Sequence, residues 1–127
     1  MHDGTTPLSI ATQQGQFEVA RFLLEANADK DKAAENGATP LCIAAQSGQQ
    51  EVARLLLEAK ADKDKTMENS ATPLFIAAQS GQLEVVRLLL EANADKDKCM
   101  RDGTTPLFVA AQQGQLEVVR LLSKTGS

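Results

Sequence analysis

The sequence predicts an all-α solenoid, a row of stacked helix-turn-helix units with extended loops between them, and three observations predict it. First, Pro7, Pro40, Pro73 and Pro106 are spaced by 33 residues each time, and a fixed period of this length means one supersecondary unit repeated along a stack. Second, each proline follows a threonine (Thr6, Thr39, Thr72 or Thr105) and is followed eight residues on by a glycine (Gly15, Gly48, Gly81 or Gly114). A threonine hydroxyl caps free backbone amides, proline at the first helical position gives up no needed hydrogen bond, and glycine accepts the left-handed backbone that ends a helix. Third, a second apolar run follows each glycine. In the copy Leu83-Glu84-Val85-Val86-Arg87-Leu88-Leu89-Leu90-Glu91-Ala92, the charged Glu84, Arg87 and Glu91 fall within about 60° of one another and aliphatic side chains fill the rest.

The chain from 1 to 127 is therefore one array of four units, 1–33, 34–66, 67–99 and 100–127, the last truncated or serving as a cap. On the first helix, Leu8, Leu41, Leu74 and Leu107 and the alanines Ala11, Ala44, Ala77 and Ala110 are the same in every copy, which assigns them to packing. The charged strip of the second helix reads as a solvated outer surface with modest ion pairs, about 0.2–0.5 kcal/mol each. That helix runs out at Asn27, Lys60 and Asn93, where asparagine tolerates a left-handed turn and lysine does not. Ser70 similarly stands where Gly4, Gly37 and Gly103 serve a loop turn, so Lys60 and Ser70 are weak points of about 1 kcal/mol each if those backbones take positive φ.

Three motifs share one register from Asp3 to about Leu122: Thr-Pro-Leu-x-Ile/Val-Ala at Thr6, Thr39, Thr72 and Thr105, Gly-Gln-x-Glu-Val after each helix, and Ala-Asp at Ala28, Ala61 and Ala94. With the 33-residue period this pattern resembles the ankyrin repeat. The resemblance implies an ankyrin-repeat α-solenoid with β-turn-like loops, and a protein partner held by the loop tips and the inner face of the first helices. Departures are plain. The family's histidine after Thr-Pro-Leu is replaced by Ser9, Cys42, Phe75 and Phe108, so its bracing of the helix start is lost or remade. The family's glycine before Ala-Asp is Asn27, Lys60 or Asn93, and its following Val-Asn is Lys-Asp, leaving lysine stems to supply apolar contact in the loop.

Composition narrows the function. A net charge of −4 with a pI near 5.0 argues against a phosphate-binding surface and hence against nucleic acid, and no apolar run approaches the roughly 20 residues that cross a bilayer. Cys42 and Cys99 sit at different register positions, so nothing pairs them. With no signal pattern at Met1-His2-Asp3-Gly4 and no Asn-x-Ser/Thr acceptor, the expectation is a reducing, intracellular and cytoplasmic setting. The Asp-Lys-Asp-Lys runs at Asp29, Asp62 and Asp95 read as solvated turns and not as a metal site, because lysines between the acids repel a divalent cation and no glycine and distal glutamate complete a calcium loop. His2 is the one histidine, and no nucleophile-base set or phosphate loop is visible, so neither catalysis nor a cofactor is expected.

Partner binding is expected on two surfaces. The inner face of the first helices reads Ser9 and Gln13, Cys42 and Gln46, Phe75 and Gln79, Phe108 and Gln112, projecting away from the alanines that face the second helix. Phe75 and Phe108 either pack against the bases of their loops or form a semi-exposed aromatic strip that anchors a partner. The loop tips carry Glu35, Glu68, Arg101 and Asp102, and the reversal from Glu68 to Arg101 orients a partner more than it tightens it. The favoured reading is a monomeric, non-catalytic protein-binding module. Two others stay open: a designed or excised scaffold without a partner of its own, and a segment that associates weakly end to end through uncapped terminal units.

Overall fold

A computed structural model describes residues 5–124 of the protein. Its eight helices come in four antiparallel pairs: α1 (Pro7–Gln13) with α2 (Phe17–Glu25), α3 (Pro40–Ser47) with α4 (Gln50–Glu58), α5 (Pro73–Ser80) with α6 (Leu83–Glu91), and α7 (Pro106–Gln112) with α8 (Leu116–Lys124). No strand occurs among the described residues. The odd-numbered, inner helices stack on one another in order and more extensively than the even-numbered, outer ones.

Local chemistry explains the boundaries. Thr6, Thr39, Thr72 and Thr105 each accept a hydrogen bond from the backbone amide three residues on, at 3.1, 3.3, 3.0 and 3.1 Å. Such a cap contributes about 1 kcal/mol to its helix. Ser9 rebuilds the lost histidine brace in the first unit, because its hydroxyl accepts from Thr6 N at 2.9 Å and completes a capping box. The outer helices end in Schellman turns: Ala28, Ala61 and Ala94 donate back to Leu23, Leu56 and Leu89 at 2.9, 3.0 and 2.9 Å. That geometry forces positive φ on Asn27, Lys60 and Asn93, at 67°, 69° and 67°, so Lys60 does carry the strain expected of it.

The core is a continuous seam. Leu8, Leu41, Leu74 and all four repeated alanines are buried, with Val52, Leu56, Val85 and Leu89 between the outer helices and the inner ones. Leu107 departs from its copies: it is 41% exposed, because this position faces the unit that follows and none follows it among the described residues. The outer strip behaves as a solvated face, with exposed pairs Arg21–Glu25, Arg54–Glu51, Arg87–Glu84 and Arg120–Glu117 at 3.3 to 3.9 Å.

The Asp-Lys-Asp-Lys loops do more than the solvated turns expected of them, since they tie one unit to the next. Asp31 Oδ1 accepts from Asp62 N at 2.9 Å, and Asp64 Oδ1 accepts from Asp95 N at 2.9 Å. Lys65 Nζ donates to Asp31 O at 3.0 Å and Lys98 Nζ to Asp64 O at 3.2 Å. The first aspartate of each run bonds within its own loop, as Asp62 Oδ1 does to Asp64 N at 3.0 Å. The first two runs thus hold their own bend with one carboxylate and the following run with the other.

Beyond each run the loop closes into a tight turn, in which Gly37, Ser70 and Gly103 donate to Ala34, Met67 and Met100 at 2.8, 2.9 and 2.8 Å. Ser70 takes φ 72°, against 85° at Gly37 and 87° at Gly103. Beside Gly37 the next loop comes close enough for Glu68 N to donate to Asn36 O at 3.0 Å, whereas beside Ser70 no such bond joins Arg101 N to Asn69 O. Ser70→Gly is expected to raise the melting temperature by several degrees. Relief of the left-handed serine contributes about 1 kcal/mol, and closure of the Arg101–Asn69 bond about as much again. Thermal denaturation followed by circular dichroism checks this; an unchanged or lower midpoint would show the turn does not carry the strain.

Candidate functional site

Where the inner helices meet the loop tips, the stack leaves a row of recesses. One of them, about 360 Å³, lies between α5, α7 and the turns before them. Gln46, Gln79 and Gln112 stand exposed along it, at the same register position of three successive units. Phe75, Ile76 and Val109 form its floor, and Met67, Asn69, Met100 and Asp102 its loop side. A second recess of about 290 Å³ repeats the arrangement one unit earlier around Gln13, Asn36, Cys42 and Gln46.

The register explains why these residues converge. Gln46 and Gln79 lie on the last turns of α3 and α5, four residues after Cys42 and Phe75, so each amide stands above the side chain that turns under the following loop. The turns present Glu35, Asn36, Glu68, Asn69, Arg101 and Asp102 as exposed tips. Asn36, Asn69 and Asp102 are also structural, each accepting from the backbone amide two residues on at 3.0 Å. Thr104 Oγ1 donates to Asp102 Oδ1 at 2.6 Å, and that bond, with the backbone amide second, holds the carboxyl below the ordinary aspartate range. The charged form is therefore favoured, and this turn weakens as the pH falls through the lowered folded-state pKa.

The aromatic strip is corrected. Phe75 is 5% exposed and Phe108 59%, although the two occupy the same register position. The angle at which a residue leaves its own helix says nothing of the loop of the next unit, and that loop covers Phe75, just as it covers Cys42 and Ser9. Phe75 is the floor of a recess, not an anchor on a surface, and Cys42 lies beneath the second recess. Met67 and Met100 went unnoticed in the sequence. Their signal was recurrence: the position immediately before the turn tips reads Met1, Ala34, Met67 and Met100.

Neither cysteine is bridged. Burial pushes the Cys42 thiol up, partly offset by hydrogen bonds to Thr39 and the charge of Lys65. Cys99 is exposed. A thiol reagent is accordingly expected to modify one equivalent per chain quickly at neutral pH, at Cys99, and the second only as fast as the second unit opens. Two fast equivalents would show that Cys42 is not sealed.

Among the described residues no cluster of His, Cys, Asp and Glu could hold a metal ion, and no helix is long and apolar enough to cross a membrane. His2 lies outside them. The family model describing ankyrin repeats in three copies matches residues 1–67 and 59–127. The chain belongs to the ankyrin-repeat family. A comparison with curated proteins finds no match. Ankyrin repeats generally mediate protein-protein interaction and are typically non-catalytic, which is the class of work the recesses have to be read against.

Proposed function

We propose that this ankyrin-repeat chain is a non-catalytic binding module that holds an extended segment of a protein partner in the groove between its inner helices and its loop tips. The observation that carries this reading is the row Gln46, Gln79 and Gln112 above a floor of Phe75, Ile76 and Val109. A primary amide both donates and accepts, as a peptide backbone does, so a row of them suits an extended chain without demanding one side-chain sequence. Met67 and Met100 supply adaptable apolar walls at the loop side. Glu35 and Glu68 at one end of the tips and Arg101 at the other set the direction in which a charged segment lies.

The test begins with a peptide selected for binding from a random library. The double variant Gln79→Arg with Met100→Glu is expected to weaken that peptide at least about tenfold, a loss of about 1.4 kcal/mol. Glu84→Ala with Arg87→Ala, on the outer strip, should leave the affinity unchanged. If the outer pair weakens binding and the groove pair does not, the groove is not the binding surface.

A further inference from the structure

Among the described residues that line the recess between α5 and α7, one is charged, Asp102. The recess around Cys42 has no charged residue among the described residues that line it. Two recesses of one groove therefore differ in charge, and the difference arises at a turn tip, where Asn36 and Asn69 give way to Asp102.

The turn itself does not require that charge. Asn36 and Asn69 accept from the amide two residues on at the same 3.0 Å as Asp102 does, so a neutral amide oxygen serves the bend equally well. The residue two positions on changes as well. Thr104 stands where the neighbouring units have Ala38 and Ala71, and its hydroxyl adds a second bond to Asp102 Oδ1 at 2.6 Å. Both bonds go to one oxygen, which fixes the carboxylate and leaves Oδ2 for a partner. None of the ion pairs found among the described residues involves Asp102, and Arg101 lines neither recess. A held carboxylate thus stands beside an apolar recess that has Phe75 in its floor and Met67 and Met100 in its wall.

This combination suits one kind of side chain. Lysine and arginine lay a methylene stem along apolar surface and keep a cationic head in water, where a carboxylate can meet it. We propose that the segment held in the groove carries a lysine or arginine here, with its stem on Met67, Phe75 and Met100 and its head on Asp102. The side-chain carbonyls of Gln79 and Gln112 are further acceptors along the same recess. The inference rests on the groove being the binding surface, and it adds a choice of residue to a glutamine row that accepts any backbone. Because Asp102 is exposed, the contact contributes selectivity more than affinity.

The test selects peptides from a random library in parallel on the wild-type chain and on Asp102→Asn, with circular dichroism confirming that the variant is folded. Asparagine keeps the acceptor the turn uses, as Asn36 and Asn69 show. Selection on the wild type is expected to enrich lysine or arginine at one position, and selection on the variant is not. For one wild-type peptide, changing that residue to glutamine and making Asp102→Asn in the protein should each cost about two- to fivefold in affinity. Together they should cost no more than either alone. Glu84→Gln removes the same net charge from the outer strip and should leave the preference intact. The proposal is overturned by peptides without the enrichment, by the same enrichment on Asp102→Asn, by additive losses, or by a preference that Glu84→Gln also abolishes. If such peptides are still weakened by Gln79→Arg with Met100→Glu, the groove reading stands without it. Peptides indifferent to that groove pair overturn both.

Discussion

Leu89→Ala is expected to destabilise the protein by about 2–5 kcal/mol and to open it from one side, leaving the first two units protected. Leu89 is fully buried in α6, among the residues that join the outer helices to the inner ones, so truncation leaves a cavity as well as losing apolar burial. The cost falls unevenly because contacts in a stack run only between neighbours. Once the α5–α6 pair loosens, the α7–α8 pair has lost the only neighbour it has among the described residues, while the α1–α2 and α3–α4 pairs still hold each other through α1, α3 and the Asp31–Asp62 bond. Hydrogen exchange should therefore accelerate in α5 to α8 and much less in α1 to α4. Equal acceleration in all eight helices would mean that the array opens as a single cooperative body.

That one-dimensional character also decides what could be read from the sequence. Helix starts, helix stops and the buried alanines were legible because they depend on residues within one turn of each other, such as Thr72 with Phe75 N, or Gly81 with α5. Relations across one period were not. Asp31 and Asp62 are thirty-one residues apart and look like solvated acids until the loops are stacked. Phe75 and Phe108 are the same residue in the same register, and only the presence or absence of a following unit among the described residues makes one buried and the other exposed. The candidate groove was half legible for the same reason: Gln46, Gln79 and Gln112 project from their own helices as the register requires, while its methionine wall comes from loops whose approach no single helix predicts.

Gly37→Ala and Gly103→Ala should separate strain within a turn from crowding between units. The two glycines share a register position, an internal turn bond of 2.8 Å, and φ of 85° and 87°. An alanine at either site suffers the same left-handed penalty, about 1–2 kcal/mol. Their neighbours differ. A Cβ at Gly37 would lie 2.7 Å from Glu68 N and 2.9 Å from Met67 Cα, and backbone cannot swing aside as a side chain can, whereas a Cβ at Gly103 meets nothing within 4 Å. To admit the methyl group, the second loop must withdraw from the first and give up the 3.0 Å bond from Glu68 N to Asn36 O. Ser70 is a natural example of that outcome, a Cβ at this register with no bond between the tips of its loop and the next. Gly37→Ala is thus expected to cost about 1–3 kcal/mol more than Gly103→Ala, the excess being overpacking and one lost hydrogen bond. Denaturant titration of the two variants side by side measures the difference directly. Equal losses would place the whole cost in the turn itself and none in the approach of neighbouring loops.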